Sequence, residues 1–247
     1  MTLKRQILLL LAVPAAVFLI SASSCEGPTA DGEKAKKRGK DGDKTLVKIE
    51  TPYGDMVAWL YDETPMHRDN FVKLADSGFY DDLIFHRVIS QFMIQGGDPN
   101  SRDAVAGVPL GSGGPGYTVP AEFNPNFIHK KGALSAARQG DQVNPLKASS
   151  GSQFYIVQGK VAPESELMNV EHRMNARRDS VDFFHYTPEQ IQTYATVGGT
   201  PFLDQGYTVF GEVIEGLNVI DSIAAVKKDP RDRPLQDVKM KISVIRK

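Results

Sequence analysis

The segment FHRVISQFMIQGGD, residues 85–98, is the most informative stretch of this chain. A turn in its middle would pair the strands on either side antiparallel and set Arg87 opposite Gln95. Opposed residues of an antiparallel pair point to the same face of a sheet. That face would carry a cation, an amide and the neighbouring apolar side chains of Phe92 and Met93. It suits a ligand that is apolar at one end and an amide at the other, and proline within a peptide is such a ligand.

The sequence around this segment has the pattern of many short strands. Two alternating runs, 45–50 and 56–61, flank a Pro-Tyr-Gly turn and predict a hairpin. Further strands are predicted at 84–89, 92–95, 132–137, 154–157 and 207–213, and alternation returns over 238–244. Many strands with few helices favour a closed or nearly closed barrel that helices cap.

Two helices are predicted to cap this barrel. Thr64-Pro65 is typical of a helix start, with Thr64 as the N-cap and Pro65 at the first helical position. Gly78 would end this helix. Residues 217–226 suit the second helix.

Residues 160–197 break the strand pattern, because they are too long for a plain loop inside a compact domain. Leu167, Val170 and Met174 have helical spacing, and residues 187–190 (TPEQ) form a capping box. We therefore expect an ordered helical insertion over 160–197.

These motifs resemble those of the cyclophilin family of peptidyl-prolyl isomerases. The resemblance rests on ordered blocks: FHRVI with FMIQGGD at 85–98, GGPGY with EF at 113–123, GALSAAR at 132–138, GSQFYI at 151–156, and FLD with VFG at 202–211. It spans 45–247 and is interrupted only by the insertion. It implies a mainly β fold, an eight-stranded antiparallel barrel closed by a helix at each end.

The resemblance also implies a role for each matching residue. Arg87 would donate a hydrogen bond to the prolyl nitrogen as the C–N bond loses double-bond character, and Gln95 would steady Arg87 and the substrate carbonyl. The remaining substrate-binding residues would be Phe92, Met93, Ala137, Arg138, Gln153, Tyr155, Phe202, Leu203 and Tyr207. Three of these depart from the best-known eukaryotic members: Phe202 replaces a tryptophan, Tyr207 a histidine and Arg138 an asparagine. His86 should point to the face opposite Arg87.

Composition limits the possible partners. The net charge of −1 gives no electrostatic case for nucleic acid. The single cysteine and the five histidines show no metal-ligand spacing. The resemblance implies that no cofactor is needed and that proline-containing polypeptides are the substrates. We expect a monomer.

The first residues resemble an export signal. The order is a positive start (Lys4, Arg5), an apolar run (7–20) and three small residues (Ala22, Ser23, Ser24) before Cys25. The run is too short for a comfortable membrane span. This order resembles the bacterial lipobox, which implies that 1–24 is a signal peptide and that Cys25 is lipidated. The chain would then be anchored in the bacterial cell envelope, at a periplasmic or outer-membrane face. The alternative is an ordinary cleaved signal that leaves one cysteine.

Residues 25–44 carry almost no apolar side chains and cannot bury enough surface to fold. Their lysines are interleaved with aspartates and a glutamate, so a flexible charged tether is favoured over a site for an anionic partner. The isomerase domain would follow at 45–247.

We interpret the chain as a catalytic prolyl isomerase that assists protein folding in the cell envelope. The alternative is a chaperone or scaffold on the same fold that binds proline segments without turnover. Arg87 and Gln95 together favour catalysis. Both ends of the insertion adjoin predicted pocket residues, Tyr155 and Leu203, so we expect it to form one wall of the substrate groove. The alternative is that it only covers barrel surface.

Overall fold

The computed structural model describes residues 44–176 and 183–246, which form ten strands and four α-helices. The predicted signal peptide and Cys25 lie outside these residues. The strands are β1 (Thr45–Thr51), β2 (Gly54–Leu60), β3 (Arg87–Ile89), β4 (Met93–Gly96), β5 (Thr118–Val119), β6 (Ala133–Ala136), β7 (Ser149–Ser150), β8 (Phe154–Val157), β9 (Val209–Glu215) and β10 (Lys241–Ile245). The helices are α1 (Pro65–Asp76), α2 (Glu164–Asn175), α3 (Pro188–Thr196) and α4 (Leu217–Ala224). None of these helices is long and apolar enough to cross a membrane.

Eight of the strands form one antiparallel sheet in the order β10-β1-β2-β9-β6-β8-β4-β3. The sheet curls until its two edges approach each other. There Ile84 and Lys239 form a single antiparallel bridge, and the Phe85 N–H donates to the Val238 carbonyl at 2.9 Å. The prediction of a mainly β, eight-stranded antiparallel fold is confirmed. The edges meet through a few bonds instead of a continuous ladder, so the sheet is a half-barrel. Strands β5 and β7 form a separate pair.

The hairpin of β3 and β4 has the register that the sequence predicts, with Arg87 opposite Gln95. Gln91 adopts a left-handed conformation at the turn, with φ of 60°. Strand β3 begins at Arg87 and not at residue 84, because residues 83–85 bond to 238–240 at the closure of the sheet. One pair of strands thus supplies the cation and the amide of the site.

The core fills the inside of the curled sheet. Alternate residues of β1 and β2, among them Val47, Ile49 and Met56, are fully buried, as period-two alternation requires. Helix α1 adds Phe71 and α4 adds Ile220 to the same cluster. The two helices therefore cap the sheet, as predicted.

The start of α1 differs from the sequence prediction. Thr64 occupies the N-cap position, but its side chain makes no capping hydrogen bond. The Glu122 carboxylate takes that role from a distant loop, accepting from the Met66 N–H at 3.1 Å and the His67 N–H at 2.9 Å. It also contacts His67 Nδ1 at 2.6 Å. A carboxylate stabilises the positive end of the helix better than a hydroxyl can.

The insertion contains two helices, α2 and α3. The predicted capping box is present at α3, where the Thr187 side chain accepts from the Gln190 N–H and the Gln190 side chain accepts from the Thr187 N–H. The insertion has its own apolar cluster, whose buried members are Ile128, Ala162, Leu167, Val170, Phe184, Tyr186 and Tyr194. Phe183, the neighbour of the buried Phe184, is exposed.

Candidate active site

A cavity of about 370 Å³ opens beside the β3–β4 hairpin. It brings together nine of the eleven predicted site residues: Arg87, Phe92, Met93, Gln95, Ala137, Arg138, Tyr155, Leu203 and Tyr207. They come from separated parts of the chain, and the sheet order places β4, β8 and β6 side by side. The cavity therefore depends on the whole sheet, and no local segment forms it alone.

A chain of hydrogen bonds fixes the polar side of the cavity. Arg87 Nη1 donates to Gln95 Oε1 at 3.3 Å, and Gln95 Nε2 donates to Gln153 Oε1 at 3.2 Å. Gln153 Nε2 then donates to the carbonyls of Gly111 at 2.9 Å and Gly113 at 2.7 Å. Gln153 does not line the cavity, but it connects Gln95 to the backbone of a loop. The two amides thus connect the guanidinium to the backbone of that loop.

The Arg87 guanidinium keeps most of its donors available. Only the bond to Gln95 engages it within the described residues, where it has no carboxylate partner. Its guanidinium carbon lies 5.8 Å from the centroid of the Phe92 ring. A partly buried cation without a counter-ion at an apolar cavity is costly in a purely structural role, which points to a ligand that accepts hydrogen bonds.

Aromatic and apolar side chains form the side of the cavity opposite the hydrogen-bonded amides. Met93 and Tyr155 are buried in one cluster with Ala137, and the Tyr155 and Tyr207 rings meet edge to face at 6.0 Å. The Arg138 guanidinium lies over the Tyr207 ring, 4.4 Å from its centroid. The site therefore joins a water-excluding surface to a fixed donor.

Phe202 differs from the prediction, because it does not line this cavity. Its side chain is 54% exposed, packs against Phe92 with the ring centroids 5.6 Å apart, and lines a neighbouring cavity. Residues Pro201–Leu203 form a tight 3₁₀ turn. Leu203 lines the cavity that contains Arg87, whereas Phe202 contacts Phe92 from the neighbouring cavity.

His86 also differs from the prediction, because it lines the same cavity as Arg87. It is 4% exposed, and neither ring nitrogen has a hydrogen-bond partner within the described residues. Burial lowers the pKa of His86 to about 4, and the nearby Arg87 and Arg233 act in the same direction. The imidazole is therefore neutral at physiological pH.

Two loops complete the cavity and were not identified from the sequence. They contribute Val108, Pro109, Leu110, Gly111, Asp229, Arg231 and Arg233. Arg233 joins the loops, since its guanidinium donates to the carbonyls of Ala104 at 2.7 Å and Val105 at 2.9 Å. No period or capping motif marks these residues, so only the fold identifies them.

A buried polar network connects the cavity to the insertion. The Asp204 carboxylate accepts from the His129 N–H at 2.8 Å and from the hydroxyls of Tyr186 at 2.7 Å and Tyr194 at 2.6 Å. His129 Nδ1 lies 2.7 Å from the same carboxylate, and His129 Nε2 lies 2.9 Å from the Tyr155 hydroxyl. Since a carboxylate only accepts, Nδ1 carries the proton in this pair. Asp204 thus connects two tyrosines of the insertion to a side chain of the cavity.

Comparison with known proteins agrees with this geometry. The family described as cyclophilin type peptidyl-prolyl cis-trans isomerase/CLD matches residues 46–244. A Staphylococcus aureus protein named "Putative peptidyl-prolyl cis-trans isomerase" is 38% identical over 213 residues, which cover 85% of this chain and 95% of the relative. A Staphylococcus saprophyticus protein of the same name is 38% identical over 203 residues, 80% of this chain and 90% of the relative. The chain belongs to the family of cyclophilin-type peptidyl-prolyl cis-trans isomerases.

A solved structure supports the fold assignment. The cyclophilin type peptidyl-prolyl cis-trans isomerase of Cryptosporidium parvum is 24% identical, with a TM-score of 0.57, and covers 83% of this chain and 99% of its own. The same protein crystallised in the presence of the dipeptide Ala-Pro gives a TM-score of 0.56. At this identity the likeness concerns the fold.

Proposed function

We propose that this chain catalyses the cis–trans isomerisation of X–Pro bonds in polypeptides of the bacterial cell envelope and thereby assists their folding. The observation that carries the proposal is the Arg87 guanidinium, fixed by Gln95 yet without a carboxylate partner in the described residues, at the edge of an apolar cavity. The cavity of about 370 Å³ has room for a proline ring and its neighbouring peptide groups.

The chemistry of the peptide bond explains why such a donor is sufficient. Rotation is opposed by a barrier of about 18–20 kcal/mol, because the nitrogen shares its lone pair with the carbonyl. In the twisted transition state that lone pair is localised and accepts a hydrogen bond, whereas the planar ground state offers almost none. A donor at Arg87 therefore stabilises the transition state selectively, which is the condition for a faster reaction. Each ~1.4 kcal/mol of such stabilisation increases the rate about tenfold.

The apolar side of the cavity contributes to catalysis separately from Arg87. Met93, Tyr155 and Leu203 hold the proline ring and exclude water, and the twisted amide is less polar than the planar one. Ala137 and Arg138 would present backbone groups to the residues before the proline. The neutral His86 adds no charge near Arg87.

The cellular part of the proposal rests on the sequence before residue 44. A positive start, a short apolar run and small residues before Cys25 support export and a lipid anchor. A lipid-anchored isomerase would meet unfolded chains as they enter the envelope. The rival function is a binding module on the same fold. The Arg87 guanidinium, which no carboxylate pairs among residues 44–176 and 183–246, favours the enzyme.

A refolding experiment tests the folding role. The full-length chain, added to a protein substrate whose refolding is limited by proline isomerisation, should accelerate the slow phase in proportion to its concentration. An unchanged slow phase, with the substrate demonstrably bound, would support the binding module.

A further inference from the structure

A second cavity, of about 430 Å³, adjoins the first and is formed by the insertion. Arg138 and Tyr207 line both cavities, so the two meet at this stacked pair. One wall of the second cavity is the face of α2 that carries Val170, Arg173 and Met174. The insertion therefore lines a cavity next to the one that contains Arg87.

Positive charge predominates in the second cavity. Arg173 and Lys147 have no ion-pair partner within the described part of the chain, and the nearest aromatic contact of Lys147 is the Phe123 ring at 5.9 Å. Arg138 is paired with Asp141 at 2.7 Å. The remaining carboxylate of the lining, Asp204, is buried and already accepts from four donors. Two cations are therefore available to a ligand.

Because the two cavities are continuous, the occupant we favour for the second cavity is the same polypeptide that enters the first. An extended chain advances about 3.3 Å per residue, so residues within about three positions of the proline reach a neighbouring cavity. The lining also carries apolar surface, from Val170, Met174 and Phe202, beside the two cations. Such a surface accommodates the aliphatic part of a side chain as well as its charge.

We propose that this cavity is a specificity subsite for an acidic side chain that flanks the proline of the substrate, with Arg173 and Lys147 as the residues that recognise its carboxylate. The inference rests on the proposed isomerase function and adds a preference among substrates. Arg173 is exposed and Lys147 is half-buried, so solvent screens the interaction and its strength depends on ionic strength.

Three matched peptides test the proposal. They share one X–Pro bond and differ only in the residues within three positions of the proline, which are Glu, Gln or Lys. We expect the full-length chain to isomerise the Glu peptide with a kcat/KM roughly tenfold above that of the Lys peptide at about 10 mM ionic strength, where the Debye length is about 30 Å. At about 1 M salt the ratio should approach one.

Charge-reversal variants identify the residues. Arg173→Glu and Lys147→Glu should each lower the Glu-to-Lys ratio of kcat/KM several-fold. Lys241→Glu, an exposed reversal on β10 that lines neither cavity, should leave the ratio unchanged. Equal rates for the three peptides, or an unchanged ratio in both variants, would overturn the subsite while leaving the isomerase intact. Failure to accelerate any peptide would overturn the proposed function and the subsite with it.

Discussion

Arg87 reaches the cavity because β3 and β4 pair in a register that sets it opposite Gln95. The side chain is then fixed by an amide relay that ends on the backbone carbonyls of Gly111 and Gly113. Pre-positioning of this kind matters for catalysis, since a donor that need not reorganise stabilises the transition state at no further cost. At the scale of single residues, the site is therefore a cation held in place by neutral amides.

His86, the neighbour of Arg87, gives a pH-dependent prediction. Its pKa is about 4 in the folded chain, against about 6.5 when unfolded. The unfolded state binds more protons between these values, so the contribution to stability is complete above about pH 6.5 and is lost as the pH falls towards 4. Wild type should lose about 2 kcal/mol more than His86→Leu between about pH 7 and pH 4.5.

The measurement for His86 is the free energy of unfolding in urea at each pH. His67, whose pKa burial also lowers, contributes equally to both proteins and cancels. His172→Leu serves as the control and should follow the wild-type curve, because the His172 side chain is exposed and has no ion-pair partner among the described residues. Parallel curves for wild type and His86→Leu would contradict the assigned burial effect.

The sequence predicts those features of the site that depend on one hairpin, because the register of a hairpin follows from local spacing. Arg87 opposite Gln95 is one such feature. His86 lines the same cavity as Arg87, whereas Phe202 lines the neighbouring one, and local spacing does not predict either placement. His86 precedes the strand, so strict alternation does not govern it, and Phe202 lies in a 3₁₀ turn where neighbouring side chains diverge.

At the scale of elements, α1 illustrates what local sequence misses. Its N-terminus is capped by Glu122, more than fifty residues away. The Thr64-Pro65 pattern predicts where the helix begins, since that depends on backbone preferences, but not which side chain satisfies its N–H groups. That identity depends on the loop that the completed sheet brings to the helix.

Replacement of Glu122 tests this cap. Glu122→Ala leaves the first N–H groups of α1 without their carboxylate and should lower the free energy of unfolding by about 1–2 kcal/mol. Glu215→Ala, an exposed glutamate at the end of β9, should change it by less than about 0.5 kcal/mol. Denaturant midpoints measure both, and equal midpoints would show that water replaces the carboxylate without loss.

The insertion is attached to the site through the hydroxyls of Tyr186 and Tyr194 on Asp204. Burial, and then the Asp204 carboxylate, raise the pKa of Tyr186, so it remains a donor at any physiological pH. Tyr186→Phe should lower the free energy of unfolding by about 2 kcal/mol, because a hydrogen bond to a charged group is lost. It should also raise KM for a proline peptide, since Tyr155 shares the network.

The matched control for that variant is Tyr53→Phe, because the Tyr53 side chain is exposed. We expect it to match wild type in both urea unfolding and KM. A Tyr186→Phe protein that is less stable but unchanged in KM would show that the network supports the fold and does not position Tyr155. The helices of the insertion could be predicted from apolar spacing and a capping box, whereas this network joins residues up to 75 positions apart and leaves no local pattern.

At the scale of the whole molecule, a net charge near zero coexists with a local excess of positive charge around the two cavities. The chain carries 29 basic and 30 acidic residues. Yet the two cavities together are lined by six cations, Arg87, Arg138, Lys147, Arg173, Arg231 and Arg233, and by only three aspartates. Net charge gives no electrostatic case for nucleic acid because it averages over the surface, while folding concentrates these cations along the two cavities.

The lipid anchor also belongs to this scale, and it remains a prediction from the sequence. In a bacterial host, Cys25→Ala should move the chain from the membrane to the soluble fraction, or leave the precursor uncleaved, because the acylated thiol is lost. Fractionation with detection of the chain measures this. A Cys25→Ala protein that is correctly processed and still sediments with membranes would place the anchor elsewhere.

We attribute the proposed isomerase activity to the Arg87 guanidinium. Exchange spectroscopy on a proline peptide with the full-length chain measures the cis–trans rate at known occupancy. We predict acceleration by wild type, a reduction of roughly 10²–10³ in Arg87→Ala with the fold retained, and no rescue in Arg87→Lys, which lacks the planar fork. An Arg87→Ala rate within about threefold of wild type at equal occupancy, far short of the loss expected for a preorganised donor, would contradict the mechanism.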